Sequence, residues 1–485
     1  MTVNFNRLHT MLNPKTVVVI GEKGPNYQFL QAQNKYSGKL YSVQIDEKEI
    51  PGIESLGIKN YRSLEEVPGH IDLLIVAVPR QIAPLIASQA IQRKVNGIHF
   101  FTAGFEETGE EIGNKLQDDL MKILKDNDTP VIGPNCMGIY NKKLSLRFHQ
   151  AQNFSSEHNT LKGLNLSLLS QSGTHGVNVT VGAQRKGINV ARSISFGNAL
   201  LVNECDLLEY LINDKSTDMI AFYLEGVKDG RRFLKLINSS KKPIIIWKGG
   251  RSKAGARAVA SHTASMASNA VIWDQLIKDA GGISVNSLDE LINVAILFNN
   301  QKYRVSNNLA LITMTGGQSV AITDAFEDHG FIIPQLSNRS YKQLEKFYNV
   351  IGGSYRNPFD AGATINKEMD NFKRILDIIG KDNNIKGGLV IDINTRIYTD
   401  NVNEFKSFLK LLNSFRNKHK MPVILVIHTL TSTLTMTDRD DNSRENVSAE
   451  TSQFATDQAF PVFNSFNDAA RAMSLVASHK LDANI

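Results

Sequence analysis

The segment best suited to covalent chemistry is GRSKAGARAVASHTASMA, residues 250 to 267. A lone histidine is more often structural than reactive, but His262 sits in a distinctive setting. Its neighbours Ala258, Ala260, Ser261, Thr263, Ala264 and Ser265 are small, and Lys248, Arg251, Lys253 and Arg257 precede it. Small neighbours let an imidazole be presented to a ligand. Cations close by favour a phosphorylated ring, and neutral imidazole is a competent nucleophile near neutral pH. Such a nucleophile needs a partner that orients its second nitrogen. Glu225, in FYLEGVKDG at the end of an apolar run, is the candidate, because a carboxylate there faces the crevice where α/β ligands bind. The blander alternative is a helix-capping or solvated glutamate.

Two further segments have the composition of anion sites. SQSGTHG (170–176) follows a buried-strand pattern, and TGGQS (315–319) follows LALIT. Glycines and small polar residues at a strand-to-helix turn expose backbone N–H groups at a helix start. Ser172, Gly173 and Thr174 mark the first turn, and Gly316, Gly317 and Gln318 the second. One such turn is commonly structural; two in one chain suggest a phosphate shared between two helix starts. A third turn, GEKGPN after TVVVI, ends a strand in glycine, where backbone can approach a phosphate and the next helix can offer N–H groups. It is not a clean G-x-G-x-x-G, so it supports a nucleotide-containing ligand better than a nicotinamide cofactor.

These residues must be carried by alternating strands and helices. Continuous apolar runs (TVVVIG, KLYSV, DLLIVAVP, GIHFFTAG, TPVIGPNC) read as strands buried on both faces, with helical stretches such as 81–92 and 109–125 between them. The pattern recurs from LNLSLLSQSG through DMIAFYLEG and KPIIIWKGG, and again from LALITMTGGQS through GGLVIDIN and MPVILVIH. Ser287 with Glu290 predicts a capping box opening a helix to about residue 298, and a last helix is expected over 466–478. Alternating elements predict parallel sheets and an α/β fold. Polar linkers are expected at 141–162 and 299–307, and the Ser-, Thr-, Asp- and Asn-rich stretch 429–451 reads as a solvated loop or insertion. Three domains follow, at 1–145, 160–300 and 306–485.

Composition narrows the class. The chain has 485 residues, too many for one ordinary core, with 42% hydrophobic and 21% charged residues, as in soluble globular proteins. A net charge of +6 favours anionic ligands. Its basic residues are dispersed, which argues against nucleic acid. No run approaches the length of a membrane helix, and MTVNFNRLHTML lacks a signal-peptide core. Two cysteines, Cys136 and Cys205, build neither a disulfide framework nor a zinc cluster, so a cytoplasmic location and no metal site are expected.

In order along the chain, NPKTVVVIG, VPGHIDLLIVAVP, FTAGFEETG, VIGPNCMG, LLSQSGTHG, ISFGN, DLLEYL, YLEGVKDGRRF, KPIIIWKGGRSKAGARAVASHTASMA, LITMTGGQS and RNPFDAG together resemble the α subunit of ADP-forming acyl-CoA synthetases, relatives of succinyl-CoA synthetase. The likeness is dense from about residue 10 to 365. It implies a Rossmann-like CoA-binding domain followed by two flavodoxin-like domains. His262 falls on the family's phosphohistidine and Glu225 on the glutamate that steadies it. The two glycine turns fall on its phosphate-binding helix starts. CoA is implied along Gly21, Val43, Gln44, Val78, Pro79, Ala103, Gly104, Asn135 and Cys136. The chain departs from the family at Ala264 and Ser268, where glycines are usual. It departs again after Gly21, where Ala-Ser is usual, and at Gln44, where asparagine is common.

The reaction so implied is reversible: acyl-CoA, phosphate and ADP give a carboxylic acid, CoA and ATP through an acyl phosphate and a phosphohistidine. No ATP-grasp domain is legible, so nucleotide and Mg²⁺ are expected on an ATP-grasp β subunit in an α₂β₂ heteromer. The competing readings are a non-catalytic CoA-binding regulator of the same fold and a nicotinamide-dependent dehydrogenase.

Overall fold

In the computed structural model the described residues are 3–148, 163–262, 269–300, 303, 305–365, 369–393, 402–428 and 441–479. The apolar runs form strands whose residues are buried almost throughout, because helices cover both faces of each sheet. The first sheet comprises β1 (Thr16–Ile20), β2 (Lys39–Val43), β3 (Lys59–Tyr61), β4 (Leu73–Val76), β5 (Ile98–Phe100) and β6 (Val131–Ile132). All pairs are parallel and the order is β3-β2-β1-β4-β5-β6, the doubly wound order of a dinucleotide-binding domain. Its direction of winding reverses between β1 and β4, so the ligand crevice lies outside their carboxyl ends.

The second sheet contains β7 (Gly138–Asn141), β8 (Asn165–Ser170), β9 (Asn189–Ser195), β10 (Met219–Leu224), β11 (Ile244–Lys248) and β12 (Ile283–Val285). Its order is β12-β11-β10-β8-β9-β7. The five parallel strands follow the flavodoxin-like order, and β7 closes the edge antiparallel to β9. Residues 138–141, grouped by sequence with the first domain, thus pair with the second sheet. The third sheet is β13 (Leu309–Thr313), β14 (Phe359–Asp360), β15 (Gly388–Asp392), β16 (Val423–Val426) and β17 (Val462–Phe463), in the order β14-β13-β15-β16-β17, again flavodoxin-like. The first two sheets belong to one compact unit, which runs to Leu291, and the third to another, from Ile292.

Two sequence expectations change. The stretch read as a solvated loop over 429–451 includes the start of a helix, Asp441–Asp457; residues 429–440 lie outside the described residues. Despite its polar composition, Thr451 and Ala455 are buried and Phe454 packs on the third sheet's core. The linker expected from residue 141 begins as packed structure. Leu146 and Phe148 are buried and Asn141 bridges back to Leu146, while 149–162 lie outside the described residues. The helix expected from Ser287 runs Leu288–Asn300. The Ser287 hydroxyl caps the Glu290 N–H at 3.1 Å, and the Glu290 carboxylate takes the N–H of Asn286 rather than that of Ser287. No described helix is long and apolar enough to cross a membrane.

Candidate active site

Glu225 directly follows β10, and its surroundings are built by the two strands that flank it. From β8, the Gln171 side-chain oxygen accepts the backbone N–H groups of Glu225 and, at 3.0 Å, of Gly226. From β11, the Lys248 ammonium donates to the backbone carbonyls of Glu225 at 2.7 Å and Gly249 at 2.6 Å. The Tyr223 hydroxyl donates to a Glu225 carboxylate oxygen at 3.3 Å. The glutamate is buried (7% exposed) yet held in a polar frame, which excludes a solvated surface residue. Burial pushes the Lys248 ammonium below its ordinary range, and the Glu225 carboxylate pulls it back up. Burial and the same carboxylate both push the Tyr223 phenol upward. Gly249 is required here, since a Cβ would lie 2.7 Å from the Tyr223 hydroxyl.

His175 completes this frame. It stands in the first turn of the helix Gly173–Arg185, with its ring 4.3 Å from that of Tyr223 and 4.6 Å from that of Trp247. Burial lowers its pKa against the pull of Glu225, so a neutral ring is favoured. Sequence reasoning assigned it no role, although it lies within SQSGTHG. Gln171, Tyr223, His175 and the buried Lys248 contact were missed because they depend on β8, β10 and β11 being neighbours.

The helix Lys253–His262 ends at the candidate nucleophile; residues 263–268, with Ala264 and Ser268, lie outside the described residues. This helix leaves β11 and packs against the short turn Glu106–Thr108, just beyond Gly104 at the carboxyl end of β5. The histidine-bearing helix therefore follows the strand beside Glu225 and packs beyond the carboxyl end of β5 in the first sheet. Of the four cations expected to attend the ring, two are engaged elsewhere. Lys248 holds backbone carbonyls, and Arg251 makes a two-pronged pair with Asp274 at 2.8 and 2.6 Å. Lys253 and Arg257 are exposed.

Both glycine turns open helices. Ser172 caps Gly173–Arg185 by accepting the His175 N–H at 3.4 Å, and Thr315 caps Gly316–Glu327 by accepting that of Gln318 at 3.4 Å. A Cβ on Gly173 would meet Met137 at 2.6 Å, whereas Gly317 faces open space. The Asp360 carboxylate stands beside Gly316, where burial raises its pKa. Each helix start presents first-turn N–H groups of the kind that bind oxyanions.

At the first sheet, Gly21 has φ +79° and its Cα faces Val78, so that a Cβ would lie 2.3 Å from the Val78 methyl. Gly21 donates to the Val43 carbonyl at 3.0 Å, joining the ends of β1 and β2. Gly104 has φ +102° and packs on the Arg80 chain, while Ala103 and Pro79 are exposed beside it. Asn135 reaches Asn198 of the ISFGN segment at 3.4 Å, and Asn198 donates to Glu107 at 2.6 Å; Glu107 in turn accepts the Gly104 N–H at 2.6 Å. These bonds tie the second sheet to the crevice. Three expected contacts differ in kind. Cys136 is buried, its thiol pushed far up by burial, and its carbonyl is bonded to the His99 ring at 3.0 Å. Gln44 is also buried, with its amide engaged by the Glu22 carbonyl and the Ile45 and Asp46 N–H groups. The helix-start N–H groups expected to meet a phosphate after Gly21 already bond the chain's own Glu22, from Phe29 at 2.7 Å and Leu30 at 3.0 Å.

Residues 15–142 match the profile of a CoA binding domain, and residues 164–298 that of the succinyl-CoA ligase like flavodoxin domain. The α subunit of ADP-forming acetate–CoA ligase II from Pyrococcus furiosus is 32% identical over 385 residues, covering 78% of this chain and 80% of that one. The chain belongs to the ADP-forming acetate–CoA ligase family. ADP-forming acetate–CoA ligase I of Archaeoglobus fulgidus is also 32% identical, and the match covers 78% of this chain but 54% of that longer relative. Among solved structures, the acetyl-coenzyme A synthetase 1 of Candidatus Korarchaeum cryptofilum, determined with phosphate and ADP, superposes with a TM-score of 0.78 at 23% identity, covering 97% of this chain and 96% of that one. That match shows a shared α/β fold.

Proposed function

We propose that this chain is the CoA- and phosphate-handling subunit of an ADP-forming acyl-CoA synthetase, organised as three domains at 1–145, 160–300 and 306–485. The observation that carries the reading is the course of the helix ending at His262. It follows the strand beside the buried Glu225 frame and packs beyond the carboxyl end of β5 in the CoA-binding sheet. A phosphate oxygen attacks the thioester carbonyl carbon, the C–S bond breaks, and CoA leaves with an acyl phosphate formed. The His262 nitrogen then attacks phosphorus, the bond to the acyl oxygen breaks, and the carboxylate leaves. Glu225 holds the histidine in the reactive tautomer and stabilises the cationic phosphorylated ring. The first-turn N–H groups at Gly173 and Thr174 are suited to charge that builds on the phosphate, since their fixed positions need no reorganisation.

Transfer to ADP is assigned to a partner chain of ATP-grasp type with its Mg²⁺, in an α₂β₂ assembly in the cytoplasm. The relatives support this: one is named a subunit, and another is about twice as long as its match to this chain. The test mixes the purified chain with such a partner, acetyl-CoA, phosphate, ADP and magnesium. ATP formation that requires both chains and vanishes in His262→Ala is expected; ATP made by this chain alone would overturn the division of labour.

A further inference from the structure

The first sheet carries an unusual charge arrangement where a nucleotide's ribose would lie. In the strand order 3-2-1-4-5-6, the turn after the first strand meets the ligand's pyrophosphate and the residues past the second strand meet its ribose. An acidic residue there suits free ribose hydroxyls, and a basic one accommodates a ribose phosphate. Here the residue two beyond Gln44 is Asp46, followed by Glu47 and Glu49.

Several donors of the first turn, and Arg62 just after β3, are engaged by the chain's own carboxylates. Lys23 pairs with Asp46 at 3.1 Å. The Gly24 N–H and the Tyr27 hydroxyl both donate to Glu49, at 2.8 and 2.9 Å. The Phe29 and Leu30 N–H groups are held by buried Glu22. Arg62 is paired with Glu47 at 2.5 Å. Lys48 is the remaining cation of this group, against four carboxylates, Glu22, Asp46, Glu47 and Glu49. A phosphate monoester brings about −1.5 to −2 of charge at neutral pH. Placed here it would meet net negative charge and occupied donors. A ribose with free hydroxyls would instead find carboxylate acceptors.

We infer that this subunit takes a CoA-class ligand without using its 3′-phosphate, so that 3′-dephospho-CoA binds at least as tightly as CoA. Asp46 is the residue that sets this preference. The inference rests on the CoA reading above and adds to it which end of the ligand is recognised. The pantetheine and pyrophosphate would be held at the crevice between β1 and β4, by Gly21, Val78, Ala103 and Gly104.

The test is calorimetric titration of the full chain with CoA, 3′-dephospho-CoA and 4′-phosphopantetheine, repeated on Asp46→Lys. Asp46 is partly exposed, so the variant should fold, and an unchanged thermal midpoint checks this. Equal or tighter binding of dephospho-CoA by wild type is expected, with Asp46→Lys shifting the ratio of dissociation constants about tenfold or more toward CoA. CoA binding tighter than dephospho-CoA in wild type, beyond the error of the titration, overturns the inference. An unchanged ratio in Asp46→Lys overturns the role of Asp46. Failure of all three compounds to bind instead rejects the CoA reading, and the inference falls with it.

Discussion

At the scale of single residues, the site is a buried glutamate whose backbone is clamped from both sides. The sequence offered Glu225 as a candidate because it ends an apolar strand run, with a helix-capping or solvated glutamate as the alternative, and its burial removes the solvated one. The sequence offered His262 as a candidate from its small, cation-rich neighbourhood. The clamps were not: Gln171, Tyr223 and Lys248 acquire their roles only when β8, β10 and β11 lie side by side. Replacing Gln171 by Ala leaves two partly buried N–H groups without their acceptor, which costs about 1–3 kcal/mol each at most. Chemical denaturation should show that loss, together with slower phosphorylation. Glu225→Gln keeps the size and the backbone bonds of the residue. It should therefore leave the unfolding midpoint nearly unchanged while slowing histidine phosphorylation about 10²-fold, as rapid-quench measurement would show. Comparable loss of stability and rate in Glu225→Gln would mean that the carboxylate is merely structural.

At the scale of elements, turns and strand ends decide what each residue can do. Gly21 marked a nucleotide turn in the sequence, yet the N–H groups after it serve Glu22, an outcome no periodicity conveys. Gly21→Ala combines a positive φ with a contact of 2.3 Å to Val78, whereas Gly57→Ala, at φ +75° with nothing within 4 Å, carries the backbone strain alone. Gly57→Ala should cost about 1–2 kcal/mol and leave ligand binding intact, and Gly21→Ala should cost more and weaken CoA binding; paired denaturation and titration would check both. The helix Asp441–Asp457 escaped notice because its composition is polar, although Thr451 and Ala455 are buried on it. At the end of β15, burial pushes the Asp392 carboxyl up to about 7 from an ordinary 3.8. Its folded state therefore holds the proton more tightly than the unfolded chain. That stabilisation is fully present below about pH 4 and lost as pH rises through 7. Asp392→Asn should match wild type at pH 4 and exceed it at pH 8 by up to about 4 kcal/mol in urea unfolding.

At the scale of the whole chain, alternating strands and helices predicted an α/β protein with parallel sheets, and three sheets, parallel but for β7, are present among the described residues. Strand order was hidden, as was the transfer of β7 to the second sheet, because both are settled by packing between distant segments. The family models match the first sheet and the stretch that carries Glu225 and His262, and the Pyrococcus furiosus relative is named an α subunit. Light scattering on the purified pair should give the mass of two copies of each chain; a one-to-one complex would overturn the α₂β₂ assignment. The central claim is that His262 carries phosphate taken from an acyl phosphate. It is tested most directly by incubating the chain with radiolabelled phosphate and a panel of acyl-CoAs, then assaying protein-bound label for acid lability and alkali stability. Thioester-dependent label is expected in wild type and none in His262→Ala. Equal label in both proteins, or none in wild type even with the partner subunit and ATP supplied, would contradict it.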